Sequence, residues 1–137
     1  MNNKAKLIMV DDEAEILRAL ERSLRKEYQI TTTVSANEAL QILESESFDL
    51  IISDVRMMEM DGLDLLATCQ EKYPDMGRIA LTGYADMETC QNAVNQQIAQ
   101  IIISKPWETF ELKNLINLVT QLQQLKIENR QLKLALP

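Results

Sequence analysis

The chain has 137 residues, 46% of them apolar and 26% charged, the size and balance of one soluble domain with a real core. Acidic residues outnumber basic ones 21 to 14, for a formal charge of −7, which speaks against direct binding to nucleic acid or an anionic membrane, since both need clustered Lys and Arg. Histidine is absent, so His-ligated zinc, His-based triads and phosphohistidine chemistry on this chain are excluded.

Leu7-Ile8-Met9-Val10 is a short apolar run that stops at Asp11-Asp12 and reads as a strand. Ile16, Leu17, Leu20 and Leu24 recur at helical spacing within residues 13–26. Tyr28 to Thr33 is rich in β-branched residues and predicts a second strand. Ser35 and Glu38 form a capping box before a helix over 36–46 that carries Ala36, Ala39, Leu40 and Leu43. Leu50-Ile51-Ile52-Ser53 is a third strand ending at Asp54, and Leu63, Leu66, Cys69 and Tyr73 mark a helix stopped near Pro74. Arg78-Ile79-Ala80-Leu81 ends at Thr82, followed by a weaker helix with Met87, Cys90 and Val94. Ile101-Ile102-Ile103-Ser104 ends at Lys105-Pro106, and Phe110, Leu112, Leu115 and Ile116 open a fifth helix. Strands apolar on both faces, alternating with helices, predict an α/β fold: a doubly wound parallel sheet of order 2-1-3-4-5 with right-handed crossovers.

Cys69 and Cys90 lie far apart with no C-x-x-C spacing, so they read as buried thiols of a reducing compartment. The apolar segment before Asp11 is too short for a secretory signal, and no run approaches the ~18 residues of a membrane helix. The expected location is cytoplasmic, with no membrane partner.

The last stretch has its own period. Leu115, Leu122, Asn129 and Leu136 fall at a, and Leu118, Leu125 and Leu132 at d, of a heptad frame. Asn129 at a is the residue type that fixes a parallel two-stranded register, and Glu128 (g) and Lys133 (e) are placed to pair across a dimer. The sequence therefore predicts a domain over 1–122 and, over 115–137, an extended fifth helix that projects past about residue 122 as a coiled coil. The alternative is a single helix whose stripe packs on its own domain.

The unusual polar residues all fall at strand ends, where ligands bind in open α/β sheets. Strands 1 and 3 lie side by side in this order, so Asp11, Asp12 and Asp54 converge, with Thr82 and Lys105 on the opposite flank. Carboxylates ~5 Å apart at an effective dielectric of ~20 repel by about 3 kcal/mol per pair. Such a pocket requires a cation, and few protein oxygens with room for water and phosphate suit Mg²⁺. Lys105 adds a fixed positive charge and Thr82 a hydroxyl donor, which together make a site for a phosphoryl group beside a carboxylate.

This pattern resembles the receiver domain of two-component response regulators, a CheY-like, flavodoxin-like fold. The matching pieces are Val10-Asp11-Asp12-Glu13, Ser53-Asp54-Val55-Arg56-Met57 running into Met60-Asp61-Gly62, Leu81-Thr82-Gly83 and Lys105-Pro106-Trp107. The resemblance implies that Asp54 is the phosphoacceptor, that Asp12 binds Mg²⁺ directly and Asp11 chiefly through water, and that Asp54 and the backbone carbonyl of Arg56 complete the ligands. It implies that Lys105 pairs with Asp54 and then with the phosphoryl oxygens, that Thr82 turns toward the phosphoryl group, and that Lys105–Pro106 is cis. A sensor histidine kinase would be the donor partner. The output would be dimerisation through the face of the fourth helix, fifth strand and fifth helix together with residues 115–136, or an output domain beyond Pro137. Such a chain modifies only itself and is a switch more than an enzyme.

The sequence departs from the family pattern in three places. Ile102 stands where many receivers carry Tyr or Phe, so the signal is expected to travel by backbone shifts. Met58 replaces a usual proline, and Gln96 to Gln100 lacks the glycine often found before the fifth strand. Arg56 and Tyr84 border the pocket, and their bulk is expected to slow attacking water. Two other classes fit less well. A pseudo-receiver that only associates would not need the complete acid pocket. An aspartyl phosphatase of the haloacid-dehalogenase type wants an acid where this chain has Arg56.

Overall fold

Successive side chains of a strand point to opposite faces, so strands apolar on both sides must feed two cores. The computed structural model describes residues 4–83 and 86–136, Met87 by its backbone alone; Tyr84 lies outside the described residues. Strands β1 (Lys6–Val10), β2 (Gln29–Thr33), β3 (Leu50–Asp54), β4 (Gly77–Thr82) and β5 (Ile101–Ser104) alternate with helices α1 (Ala14–Leu24), α2 (Ala36–Ser45), α3 (Gly62–Lys72), α4 (Met87–Asn95) and α5 (Thr109–Ala135). The sheet has five strands in the order β2-β1-β3-β4-β5, every pairing parallel. This is the doubly wound architecture expected from the sequence.

The two cores separate as the alternation requires. Leu7, Met9, Leu50, Ile52, Ile79 and Leu81 join Leu17, Leu20 and Leu24 of α1 and Leu112, Ile116 and Val119 of α5. Ile8, Val10, Ile51 and Ala80 join α2, α3 and α4 through Ala39, Leu43, Leu65, Leu66, Cys69 and Cys90. Each fully buried Leu or Ile contributes about 1.5–3 kcal/mol.

The helix starts hold the loops at the carboxyl end of the sheet. Half of the expected capping box forms: the Glu38 amide donates to Ser35 Oγ at 3.1 Å. The other half does not, because the Ser35 amide donates to Thr33 Oγ1. Glu59, from the loop after β3, takes part instead; one carboxylate oxygen accepts from Ser35 Oγ at 2.7 Å and from the Asn37 amide at 3.1 Å. That ties the β3–α3 loop to the start of α2. Asp61 caps α3 by accepting from the Leu63 amide at 2.8 Å. The next residue, Gly62, donates to Val55 O at 2.8 Å. A Cβ at Gly62 would lie 1.7 Å from Asp54 O, so only glycine lets α3 start this close to the end of β3.

Helix α5 runs for 27 residues and is apolar on two sides. Leu112, Ile116, Val119 and Gln123 face its own domain. Leu118, Leu122, Leu125, Leu132 and Leu136 are exposed, and Leu115 is partly buried against the core. The contact with the domain continues beyond residue 122, further than the sequence suggested. Gln123 Nε2 donates to Pro74 O at 3.0 Å, and Arg130 pairs with Asp75 at 2.8 Å. The turn between α3 and β4 reaches alongside the helix, and with the segment between α2 and β3 it borders an open cavity of about 350 Å³ lined by Phe48, Pro74, Met76 and Ile127 among others. No helix among the described residues is long and apolar enough to cross a membrane.

The closeness of Gly62 to β3 sets a first prediction. Gly62→Ala should destabilise the domain by about 1–3 kcal/mol, since the clash is with backbone that cannot rotate away. Urea unfolding of the two proteins measures it; equal midpoints would show that the loop relaxes at no cost.

Candidate functional site

A carboxylate at the end of a buried strand loses much of its hydration, so its neighbours decide whether it can stay charged. Asp54 is the last residue of β3 and is 7% exposed; Asp11, just after β1, is fully buried, while Asp12 is exposed. The strand order brings these two strands together, and carboxylate oxygens of Asp11, Asp12 and Asp54 lie within 4.8 Å of one another. Lys105, which follows β5, reaches across the end of the sheet. Its Nζ is 2.9 Å from Asp11 Oδ2 and 3.0 Å from Asp54 Oδ1. The Lys105–Pro106 peptide bond is cis, as the resemblance implied.

The charges respond to this crowding. Burial pushes the Asp54 carboxyl up from its ordinary value; the hydrogen bond to Lys105 opposes the rise, and the charges of Asp11 and Asp12 add to it. Desolvation works against the Lys105 ammonium, but its bonds to Asp11 and Asp54 outweigh that and hold it above the usual lysine value. One lysine against three carboxylates leaves the pocket short of positive charge.

The residues fit a hard divalent cation. Asp11 Oδ1 accepts from the Glu13 amide at 2.9 Å, and its fully buried Oδ2 meets only the Lys105 ammonium among the described residues. Asp12 Oδ2 receives only a long bond from the Met58 amide, at 3.3 Å. Such oxygens suit a cation that binds few carboxylates and keeps several waters, as Mg²⁺ does. A cleft of about 610 Å³ opens beside them, bordered by Asp12, Arg56, Met58, Asp61 and Asp86.

The other expected residues stand around this centre. Thr82 ends β4 and is buried; its hydroxyl donates to Gly83 O at 3.0 Å, a local bond it must give up to reach a group on Asp54. Ile102 is partly buried among the residues that face α4. Met57 and Met60 pack partly on the same core, and Met58 is 97% exposed. Trp107 packs against the core and closes one side of a groove of about 520 Å³ between Ile16, Ala19, Arg22 and Lys105.

Three arrangements were not foreseen from sequence. Lys105 pairs with Asp11 as well as Asp54. The Arg56 side chain is mostly exposed and turns to Asp86, at the start of α4, at 2.6 Å. Glu59 caps α2 from the β3–α3 loop. The opposite charges of Arg56 and Asp86 were visible in the sequence, but nothing local joined positions thirty residues apart.

Comparison with known proteins agrees with this geometry. The model of the response regulator receiver domain matches residues 7–117. The hydrogenase transcriptional regulatory protein HoxA of Cupriavidus necator is 31% identical over 135 residues, covering 98% of this chain and 28% of that protein. The chain thus spans little more than a quarter of the length of that relative. Among solved structures, a signal receiver domain of an HD domain-containing protein from Pseudomonas fluorescens Pf-5 superimposes with a TM-score of 0.86 at 32% identity, over 93% of this chain and 95% of that one. An adenylate cyclase structure from Rhodopirellula baltica gives a TM-score of 0.90 at 28% identity, over 97% and 99% of the two chains. The matched segment contains every residue of the pocket from Asp11 to Lys105, and the chain belongs to the receiver-domain family of two-component response regulators.

Proposed function

We propose that the domain is a phosphorylation-dependent switch with Asp54 as its phosphoacceptor, supplied by a sensor histidine kinase and using Mg²⁺. The observation that carries this reading is the Lys105 ammonium bridging Asp11 and Asp54 while Asp12, which borders the cleft, brings a carboxylate oxygen within 4.8 Å of theirs. Asp11, Asp12, Asp54 and the Arg56 carbonyl would hold the ion, which when bound neutralises phosphoryl oxygens.

An Asp54 carboxylate oxygen attacks phosphorus; the phosphorus–nitrogen bond of the donor's phosphohistidine breaks, and its electron pair leaves with the imidazole. Lys105 compensates the charge on the transferred oxygens, and the Thr82 hydroxyl turns from Gly83 O to bond one of them. Water later hydrolyses the acyl phosphate, regenerating the carboxylate and releasing inorganic phosphate. The domain modifies itself and turns over no metabolic substrate.

The output is association of two chains, through the α4–β5–α5 side and the heptad seam of residues 115–136, or control of an output domain. Support for the seam is that Leu118, Leu122, Leu125, Leu132 and Leu136 are all exposed on one chain while a different face of α5 packs on the domain.

The deciding measurement is mass and shape by size-exclusion chromatography with light scattering, with and without Mg²⁺ and beryllofluoride. Wild type should change mass or shape and Asp54→Asn should not; an unresponsive wild type would sink the switch. A second test is thermodynamic. Because burial raises the Asp54 pKa in the fold, its ionisation opposes folding: the domain holds the associated stability below the unfolded carboxylate value near 4 and loses it as pH rises through the folded value. In chelator, Asp54→Asn should therefore be the more stable protein at pH 7, with the difference vanishing below about pH 4. An Asn variant less stable at pH 7 would contradict the assignment of burial as the dominant cause. For the seam, Asn129→Leu should raise stability and loosen the choice of oligomeric state; a variant unchanged in both mass and unfolding midpoint would argue against a coiled coil.

A further inference from the structure

Strand β4 carries a charge where its neighbours carry hydrocarbon. Arg78 is 4% exposed and lies two residues before Ala80, on the sheet face that α3 and α4 cover. It pairs with no carboxylate among the described residues. Its guanidinium instead donates to three carbonyls: Nε to Ile98 O at 2.9 Å, Nη1 to Met76 O at 2.8 Å and Nη2 to Gln97 O at 3.2 Å. Gln100 closes the clamp through the backbone of the same residue, its Oε1 accepting from the Arg78 amide at 2.7 Å and its own amide donating to Arg78 O at 2.9 Å. A buried cation is sustained this way only where several dipoles converge on it.

Two of those carbonyls, Gln97 and Ile98, belong to the turn that ends α4, while Met76 lies just before β4 itself. The Gln97 amide bonds Val94 O and the Ile98 amide bonds Ala93 O, both at 2.9 Å. That is the paired closure of a helix C-terminus that normally places glycine at the left-handed position. Gln97 occupies it with φ 63°, so the turn is strained where the sequence lacked its glycine. Arg78 holds the carbonyls of this residue and the next, at the negative end of the α4 dipole. Gln70 of α3 adds a bond to Gln96 O at 3.3 Å.

The hold is uneven along α4. Among its described residues only Cys90 and Ala93 are buried, small side chains that anchor a helix weakly. At its start, next to the phosphoacceptor pocket, the ties among the described residues are the Arg56–Asp86 ion pair, in which the Arg56 side chain is 79% exposed, and a 3.3 Å bond from the Asp86 amide to Gly83 O. An ion pair with one solvent-exposed partner is a weak tie.

We propose that Arg78 is the fixed pivot of α4: it locks the C-terminal turn of the helix to the sheet, so that rearrangement driven from Asp54 is confined to the N-terminal turns. The inference rests on the switch reading above and names a positioning residue for it. Burial lowers the Arg78 pKa from its ordinary value, yet guanidinium keeps its charge throughout the usable pH range, so the pivot does not depend on pH.

Amide hydrogen exchange of the full 137-residue chain, in chelator and in Mg²⁺ with beryllofluoride, tests it. In wild type the mimic should change protection over 83–91 and leave 96–100 as it was. In Arg78→Met without the mimic, residues 92–100 should exchange about ten-fold faster while α1 and α2 keep their rates, and the mimic's effect should now reach 96–100. Should Arg78→Met fail to fold, Arg78→Lys carries the same comparison, because an ammonium keeps the charge but cannot span three carbonyls. Faster exchange spread evenly over α1 and α2 would reduce Arg78 to a general stabiliser, and unchanged exchange at 92–100 would remove it as an anchor. A responsive wild type whose 96–100 segment moves with 83–91 overturns the pivot alone. A wild type blind to the mimic everywhere overturns the switch reading and the pivot with it.

Discussion

The Lys105 ammonium sits between a fully buried carboxylate and a nearly buried one, 2.9 Å from Asp11 and 3.0 Å from Asp54. Without it, three acidic groups would share a pocket within 4.8 Å, at about 3 kcal/mol of repulsion per pair. The fold around the pocket follows from that need. β1 and β3 must be neighbours to bring the acids together, and β5 must lie two strands from β3 to return a lysine across β4. The order β2-β1-β3-β4-β5 meets both conditions. The same arrangement leaves the site short of positive charge, which is why it is suited to bind a divalent cation and a phosphoryl group together.

Around this centre the loops are held by bonds of very different strength. The β3–α3 loop is tied to α2 through Glu59, to α3 through the close approach at Gly62 and, among the described residues, to α4 through the Arg56–Asp86 pair, whose arginine is exposed. A change at Asp54 therefore meets firm resistance on the α2 and α3 sides and little toward α4. Thr82 points the same way. Its hydroxyl is satisfied by its own neighbour, so rotating toward Asp54 exchanges one hydrogen bond for another and disturbs the segment that leads into α4. On the proposed switch reading, unequal tethering would give the response its direction without an aromatic side chain at Ile102.

What was legible in the sequence, and what was not, divides by the range of the interaction. Strand ends could be read because each apolar run stops at a polar residue, and those residues happen to be the pocket: Asp11, Asp12, Asp54, Thr82 and Lys105. Period-2 burial on both faces predicted the parallel sheet. Arg78 was read only as the start of a strand, because a charge within an apolar run has no meaning until the carbonyls that receive it are in place. The same is true of Glu59, which completes a cap begun by Ser35 twenty-four residues earlier. The missing glycine before β5 was visible as a departure. Its resolution, a glutamine at φ 63° whose carbonyl is held by an arginine from β4, was not.

Helix α5 shows why a single apolar stripe was too simple a description. Buried Leu112, Ile116, Val119 and Gln123 fall at e and b of the heptad frame, whereas the exposed leucines fall at a and d. At ~100° per residue these two faces lie roughly a third of a turn apart on the helix. Packing on the domain therefore leaves the seam uncovered from Leu118 onward, Leu115 being partly buried against the core, and association through that part would leave the domain contact intact. The two do not compete. Gln123, Ile127 and Arg130 extend the contact along the α3–β4 turn and fix the angle at which the helix leaves. A signal that reached this helix could not act by exposing the seam, which is already exposed. It would have to change how two such helices are brought side by side, and the surface next to the seam that can do so is the edge made by β5 and the loosely held start of α4.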